Sequence, residues 1–596
     1  MPDFTTIKRP TVKKIKEKYP HARGKTFYYT ESDEYQIDLI LSDNVYCKIR
    51  NEQVFKGRPE DPIVEGTTFG WVIHGGAEYS DAKCMYTKEL DSHYEKLYSL
   101  DVLGVEDRGE NDSSVALTEF KENIVVNSEG RYEVQVPWIP GAEMTNTNEQ
   151  PSRRRLENVE RTLTRNSKLE AEYRKIITDQ LETGLVEKAP DTPSGNKVFY
   201  MPHKPVVRET ASTTKVRMVF DGSAKPHPLA NSVNECMYTG PPLQPLLWDI
   251  LIRTRMSPHL LLADLEKAFL QIAIAERDRD AFRFLFNING REEHLRFTRV
   301  PFGAEASPFM LGATLQHHFD LQSQDLKETV TSLKQDTYVD NLMKTAADIK
   351  ELKQFKQEAI TILESAKFPV HKWESDVQEL DAEANPSKIL GYKWDKREDV
   401  IEIKAEVKDN ASESQLTKRE ILSQLSSVYD PLGIISPAMI HGKAIYRDTC
   451  DECKSWNNAV PDDIKKRWNK WTNQLRNVQV PRSIPGGVND LTGVHLHVFA
   501  DASKTACSAV VIAVIEHSSG VVKGLLTSKS RISKRNTTIP RLELISGHMA
   551  ANITTLGHQI NNNMDGQYDS LILDMQPWQT MEGLCLQPRQ EDIRDH

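Results

Sequence analysis

The stretch LLLADLEKAFLQIAI, residues 260–274, decides the fold of this chain. It begins as a short apolar run typical of a buried strand, and Asp264 stands where that run ends. A second stretch, DTYVDNLM (336–343), predicts a turn that carries Asp340 between two apolar runs. Carboxylate oxygens that converge from two strand ends are ligands that Mg²⁺ prefers. The two stretches therefore predict a metal site on neighbouring strands of one sheet.

The residue after Asp340 changes what this site offers a cation. Asn341 supplies one neutral carbonyl oxygen where a second carboxylate would supply an anion. A structural explanation also exists for Asp264, because an aspartate after an apolar run commonly caps the next helix. The pattern alone leaves the catalytic and the structural interpretation open.

Length and composition narrow the class of protein. A chain of 596 residues with 38% hydrophobic residues predicts about three to five domains with compact cores. No apolar run approaches the roughly 20 residues of a membrane span, and the N-terminus lacks a signal-peptide pattern. Seven cysteines, an odd number, argue against a disulfide framework. We therefore expect an intracellular protein, cytoplasmic or nuclear, that is not secreted and has no membrane partner.

The net charge of −10 is the wrong sign for a protein that coats nucleic acid non-specifically. An acidic chain can still hold a locally basic groove. The charge therefore weakens a nucleic-acid-binding hypothesis without excluding it.

Changes of pattern along the chain predict five regions. Strand-like alternation occurs in 35–49 and 64–76, and one charged helix is predicted over 153–184, where it ends at Gly184. The regions are a strand-rich segment, a linker with a helical lead-in, alternating strands and helices, a helix-rich segment and a new strand pair, at 1–95, 96–195, 196–400, 401–490 and 491–596.

Seven sequence blocks in a fixed order resemble the reverse transcriptase of LTR retrotransposons of the BEL/Pao group. The blocks are GRYEVQVPW (130–138), TTKVRMVFDGSAK (213–225), ADLEKAFLQI (263–272), VPFGAEASPF (300–309), YVDN (338–341), ILGYKWD (389–395) and YDPLGIISP (429–437). The resemblance implies an α+β fold in which fingers and palm occupy 196–400 and a helical thumb or connection occupies 401–490.

The resemblance assigns the metal site. Asp264, Asp340 and the backbone carbonyl of Leu265 are implied ligands of two Mg²⁺ or Mn²⁺ ions, and Asn341 stands at the degenerate position of the third carboxylate. Because one anion is missing, we expect a weakened second metal and a severely impaired polymerase. Asp336 lies on the preceding segment and is not expected to substitute.

The resemblance also assigns substrate contacts. Arg217 is the implied triphosphate-binding arginine, with Lys215 or Lys204 as alternative second contacts. Phe269 is the implied steric gate against a ribose 2′-hydroxyl, with a plain core aromatic as the alternative. Phe302 and Gly303 are implied to pack on the nucleotide, and Leu390, Gly391 and Trp394 to form the primer grip as contact or packing residues. The implied partners are an RNA template with a DNA primer or RNA–DNA hybrid, and dNTP.

Both flanks resemble neighbouring domains of the same polyprotein. HVFADAS (497–503) and the region after it are similar to a ribonuclease H fold, which implies Asp501, Glu543 and Asp574 as its carboxylates and an incomplete domain over 491–596. Residues 1–95 are similar to part of a retropepsin-like domain. No Asp-Thr-Gly or Asp-Ser-Gly triplet occurs in the chain, so we expect no protease activity.

Three functions remain open at this point. The first is a polymerase impaired at Asn341, and the second is a nucleic-acid-binding or adaptor protein that keeps the cleft without catalysis. The third is a reverse transcriptase that is still active.

Overall fold

The computed structural model describes most of the chain. The described residues are 6–8, 16, 18–25, 34–36, 49–58, 61–68, 70–74, 117–207, 216–407, 416–487, 491–561 and 570–573. The chain divides into two compact units, residues 1–96 and 97–596. Among the helices of the described part, none combines the length and the apolar character that crossing a membrane requires.

The first unit contains short antiparallel strands. They are β1 Thr6–Lys8, β2 Glu34–Gln36, β3 Arg50–Phe55, β4 Ile63–Thr67 and β5 Gly70–His74. Strand β1 pairs with β2, and β3, β4 and β5 form a separate sheet in that order. The predicted strands at 64–76 are thus present as a hairpin, whereas most of the predicted strand at 35–49 falls outside the described residues.

The second unit mixes helices with several small sheets, in agreement with the predicted mixed class. Its helices are α1 Glu149–Thr164, α2 Ser167–Glu182, α3 Leu247–Met256, α4 Glu276–Arg279, α5 Ser307–Asp320, α6 Lys327–Asp336, α7 Ile349–Ser365, α8 Lys418–Ser426, α9 Ser436–Glu452, α10 Asp462–Thr472 and α11 Ile539–Asn561. Its first strands are β6 Val125–Val126, β7 Tyr132–Val134, β8 Val186–Lys188, β9 His203–Val207, β10 Val216–Phe220, β11 His259–Leu265, β12 Ala273–Ile274, β13 Arg283–Ile288 and β14 Arg291–Phe297. The later strands are β15 Thr337–Tyr338, β16 Asn341–Ala346, β17 Val370–Ser375, β18 Ser387–Ile389, β19 Tyr392–Asp395, β20 Val400–Ile403, β21 Val478–Pro481, β22 Leu491–Ala502, β23 Ala506–His517, β24 Gly520–Ile532 and β25 Ser570–Leu573.

The single helix predicted over 153–184 is wrong, because α1 and α2 are separate helices. Asn166 leaves the helical conformation, with φ −143° and ψ 88°, and its side chain accepts a hydrogen bond from the backbone N–H of Leu169. Asparagine favours this capping role because its short amide satisfies an N–H that a helix start leaves unpaired. The periodic charge pattern continues across the break, which is why the sequence suggested one helix.

Three sheets of the second unit matter for the site. The central sheet has the strand order β15-β16-β11-β17, the connecting sheet has β18-β19-β20-β21, and the C-terminal sheet has β24-β23-β22-β25. In the C-terminal sheet, β25 runs parallel to β22, whereas the other pairs are antiparallel.

The central sheet lies between two hydrophobic cores. The first core gathers buried side chains from Phe120 to Leu380, and the second core gathers them from Ile250 to Ile553. Along β11 the two cores alternate. Leu261, Ala263 and Leu265 enter the first core, while Leu260 and Leu262 enter the second. Successive strand residues point to opposite faces, so Asp264 lies on the face of Leu260 and Leu262.

Candidate active site

The central sheet brings the predicted metal-site residues together. Asp264 lies directly opposite Asn341 across the antiparallel pair of β11 and β16, and directly opposite residues share one face of the sheet. The backbone N–H of Leu265 donates to the backbone carbonyl of Asp340 at 2.8 Å. The two aspartates, 76 residues apart in sequence, therefore meet at one end of this sheet.

A tight hairpin presents Asp340. Tyr338 pairs with Asn341, so Val339 and Asp340 form a two-residue turn between β15 and β16. Val339 has φ +59°, a left-handed conformation that costs free energy in a β-branched residue. Its side chain packs against the first core, while Tyr338 packs against the second. Packing on both sides therefore holds a turn that local preference alone would not favour.

Positive and neutral donors already engage both carboxylates. The Lys372 ammonium Nζ lies 3.1 Å from Asp264 Oδ2, and Asn341 Nδ2 donates to Asp340 Oδ1 at 3.0 Å. Burial, and then the neighbouring Asp264 carboxylate, raise the pKa of Asp340, whereas Lys372 lowers it. The Asn341 amide thus acts here as a donor to its neighbour's carboxylate.

Two charged residues of this face were not predicted from the sequence. Lys372 contacts Asp264 directly, and Glu374 lies opposite Leu262, which shares the face of Asp264. The two flank the buried Trp373 on β17, whose register with β11 shifts at this point. The pKa of Glu374 is raised to about 7, first by burial and also by negative neighbours that include Asp264, whereas Lys396 lowers it. The alternation in HKWES was the available signal. Strand β17 pairs with β11, and His371 lies opposite Asp264 in this pairing. Nothing in the sequence indicated that these two strands are neighbours.

The donor atoms of the predicted metal site are all oxygens. Asp264, Asp340 and the carbonyl of Leu265 are hard oxygen donors, which match Mg²⁺ and Mn²⁺. Within the described ranges, no group of three or more His, Cys, Asp or Glu side chains is arranged to hold a metal ion. Asp336 does not complete the set, because its carboxylate is paired with Arg253 at 2.7 Å.

Phe269, Phe302 and Gly303 are the predicted nucleotide-packing residues, and they lie in two segments that follow β11 in the chain. The rings of Phe269 and Phe302 meet edge to face, with centroids 5.1 Å apart, and Phe302 is 49% exposed. Gly303 has φ +96°, and a Cβ there would lie 2.6 Å from the Phe220 carbonyl oxygen. Glycine is therefore required for this close backbone approach.

The predicted triphosphate contacts lie on the hairpin of β9 and β10. Arg217 is exposed on β10 and pairs in register with Val206. Lys204 is exposed on β9, whereas Lys215 lies outside the described residues. The structure thus offers Arg217 and Lys204 as accessible cations.

The predicted primer-grip residues occupy the connecting sheet. Leu390 and Gly391 form the two-residue turn between β18 and β19, with φ +42° and +106°. Trp394 is fully buried, and its Nε1 donates to Asp399 Oδ1 at 2.9 Å. Of the two roles that the sequence left open, packing is therefore the one that Trp394 fills.

The C-terminal sheet carries Asp501, the first of the three carboxylates predicted for a ribonuclease H site. Asp501 is half-buried on β22, opposite Ser508. Glu543 is exposed near the start of α11, and Asp574 lies outside the described residues.

Comparisons with known proteins find two families in this chain. Residues 207–393 match the model described as reverse transcriptase (RNA-dependent DNA polymerase). Residues 417–570 match the model described as Pao retrotransposon-like RNaseH-like domain. No curated protein matches the chain. A solved structure of the foamy viral protease-reverse transcriptase in complex with double-stranded DNA is similar at 14% identity, with a TM-score of 0.43, over 88% of this chain and 90% of that one.

The two family matches define the class as a reverse transcriptase joined to an RNaseH-like region. The second match narrows the class further, since its model is described as Pao retrotransposon-like. Together the two matched regions support a Pao-type retrotransposon reverse transcriptase, an RNA-directed DNA polymerase-like protein.

Proposed function

We propose that the polymerase active site of this chain is the end of the central sheet that carries Asp264, Asp340 and Asn341, and that Asn341 impairs it. One observation carries the proposal. Asp264 lies opposite Asn341 in one sheet, with Asp340 bonded through its carbonyl to Leu265. This arrangement supports the proposal, because nucleotide addition needs negative oxygen donors close together around a divalent cation.

Residues of the chain itself account for how the site would bind a divalent ion and orient a nucleoside triphosphate. Asp264, Asp340 and the Leu265 carbonyl would hold a divalent ion, which when bound neutralises negative charge on a triphosphate. Exposed Arg217 can pair with phosphate oxygens in a bidentate manner. Phe269 and Phe302 form an apolar wall, and Gly303 lets backbone approach closely. Asn341 adds a neutral oxygen, so one positive charge is left less compensated.

The proposed domain arrangement follows the same reasoning. Residues 196–400 are fingers and palm, with the central sheet as the palm, and 401–490 are the thumb or connection. Residues 491–596 form a ribonuclease H-like domain with Asp501, Glu543 and Asp574 as its carboxylates. Residues 1–95 form a retropepsin-like region without a catalytic aspartate triplet. Template RNA, DNA primer and dNTP are the proposed partners.

The proposal predicts that Asn341→Asp restores synthesis. The variant returns the missing anion at the position opposite Asp264, and removal of one such electrostatic partner commonly costs ~10²–10³ in rate. Primer extension on an RNA template with Mg²⁺ or Mn²⁺ measures the difference. Asp264→Asn in the Asn341→Asp background is the control and should abolish the restored activity.

Other results of the primer-extension experiment would support one of the two alternative functions. Equal extension by wild type and Asn341→Asp would show a reverse transcriptase that is still active and would contradict the impairment. Salt-dependent binding of an RNA–DNA hybrid without synthesis by either form would instead favour a binding or adaptor protein.

A further inference from the structure

The turn between β18 and β19 is held by a tyrosine from a distant loop. Tyr429 Oη donates to the backbone carbonyl of Leu390 at 2.5 Å. A Cβ at Gly391 would lie 2.7 Å from Tyr429 Cε1, so the ring rests directly on this glycine. Both turn residues have positive φ, a conformation that favours two-residue hairpins but strains Leu390. The tyrosine therefore stabilises a turn whose own sequence only partly favours it.

The loop that carries Tyr429 is itself fixed at its base. The Asp430 carboxylate accepts hydrogen bonds from the backbone N–H groups of Ile434 and Ile435 and from Tyr392 Oη. Ser528 on β24 donates through its N–H to the carbonyl of Leu432 at 2.9 Å. These contacts leave Tyr429 little freedom to move away from the turn.

Tyr429 is also close enough to Tyr338, in the hairpin of the proposed active site, for their phenols to interact electrostatically. Burial, and then the neighbouring Tyr338 phenol, raise the pKa of Tyr429. Tyr338 and Leu390 both pack on the second core, which covers the face of β11 that bears Asp264. The Tyr429 ring is nevertheless 42% exposed. A half-exposed aromatic side chain that is locked at its hydroxyl is suited to pack against a nucleotide.

We propose that Tyr429 is a positioning residue for the 3′-terminal nucleotide of a primer, which it guides by fixing the Leu390–Gly391 turn and by offering its exposed ring. The proposal rests on the proposed polymerase function. This role belongs to the first residue of YDPLGIISP (429–437), a block whose pattern alone indicated no role for any of its residues.

Tyr429→Phe tests the role of the hydroxyl, because it removes the bond to Leu390 and keeps the ring. Tyr446→Phe is the matched control, since it removes a phenol hydroxyl from a buried tyrosine on α9. One readout is the fluorescence of 2-aminopurine at the primer 3′ end in complex with wild type or variant. The second readout is kcat and KM for dNTP in the Asn341→Asp background.

We expect Tyr429→Phe to change the 2-aminopurine signal and to lower kcat about fivefold, the scale of one lost hydrogen bond. KM for dNTP, the template–primer Kd and the thermal midpoint should stay close to those of Tyr446→Phe. Tyr429→Ala, which also removes the ring, should show a larger change in both readouts.

Two results would overturn the inference while the polymerase function stands. One is a Tyr429→Phe variant that matches Tyr446→Phe in both readouts although wild type binds template–primer. The other is a loss of signal that only parallels loss of folded protein. Failure of wild type to bind template–primer at all would instead overturn the proposed function, and the inference with it.

Discussion

At the scale of single residues, the site is defined by how its two carboxylates are compensated. Lys372 neutralises Asp264 by direct contact, and Asn341 donates to Asp340 through its amide. An amide donor stabilises a carboxylate without adding charge, so it cannot replace a cation. Compared with an aspartate at the same position, Asn341 differs in two properties at once, because it lacks the negative charge and adds a hydrogen-bond donor that engages Asp340.

Lys372→Met should increase the affinity of the site for Mn²⁺ by about tenfold. The variant frees an oxygen of Asp264 and removes one positive charge a few ångströms from the pair, an effect on the scale of about 1–2 kcal/mol in a partly solvated site. Isothermal titration calorimetry or the paramagnetic resonance signal of free Mn²⁺ measures it.

Lys344→Met is the matched control for this experiment. Lys344 lies on β16 of the same sheet, but its Nζ bonds to Ser332 Oγ at 3.0 Å. Equal Mn²⁺ affinities in the two variants would contradict a specific role of the contact between Lys372 and Asp264.

Glu374 predicts a pH dependence of stability. Burial raises its folded pKa to about 7 from 4.5, so folding favours the protonated form. The associated stability is fully present below pH 4.5 and is lost as the pH rises through about 7. Glu374→Gln removes this titration, so the thermal midpoint of wild type should fall relative to that of the variant across this window. A midpoint difference that does not vary with pH would refute the prediction.

At the scale of elements, close backbone approaches join segments that are distant in sequence. Gly433 has φ +71°, and a Cβ there would lie 1.9 Å from the carbonyl oxygen of Ser528 on β24. Ser528 bonds to the same loop. The loop at 429–437 and strand β24 can therefore dock only because residue 433 has no side chain.

Gly433→Ala should lower the thermal midpoint by about 1–3 °C more than Gly486→Ala. Both glycines have a positive φ, so both variants incur a similar conformational cost. Only Gly433 faces a backbone oxygen, whereas a Cβ at Gly486 meets no atom within 4 Å. Overlap with backbone requires segments to shift and typically costs 1–3 kcal/mol. Equal midpoints for the two variants, measured by differential scanning calorimetry, would contradict the tight docking.

Elements differ in how well the sequence predicted them. Strand β11 and the hairpin at 338–341 were predictable because apolar runs flank their aspartates. The break between α1 and α2 was not, since it depends on one capping asparagine within an unbroken charge pattern. Lys372 and Tyr429 were missed for a different reason. Their roles depend on pairing between segments separated by 108 and 39 residues, and no local pattern reports such pairing.

At the scale of the whole second unit, one buried arginine forms hydrogen bonds that connect three segments of the chain: its own, the segment of Asp399, and residues 254–258. Arg482 is fully buried and binds both carboxylate oxygens of Asp399 at 2.7 Å. The other side-chain hydrogen bonds of Arg482 go to the carbonyls of Thr254, in the last turn of α3, and of Ser257 and Pro258, which link α3 to β11. The connecting sheet is thereby fastened to the strand that carries Asp264.

Arg482→Met should destabilise this junction by about 3–5 kcal/mol, because it leaves buried oxygens without donors. Hydrogen exchange read by mass spectrometry should show faster exchange at 250–260 and 399–403, while helices α1 and α2 exchange as in wild type. Arg476→Met is the matched control, since Arg476 is exposed and bonds only to carbonyls of its own turn. Unchanged exchange in Arg482→Met would refute the fastening role.

The alternation along β11 constrains how this protein can lose function and still fold. A substitution at 341 alters the charge beside Asp264 and leaves both sets of leucines in place. Insertion or deletion of one residue within 260–264 would instead turn each later side chain toward the opposite face and damage both cores together. Point substitution is therefore the kind of change that the central sheet tolerates. A variant chain can keep its fold after its active site has lost a catalytic group.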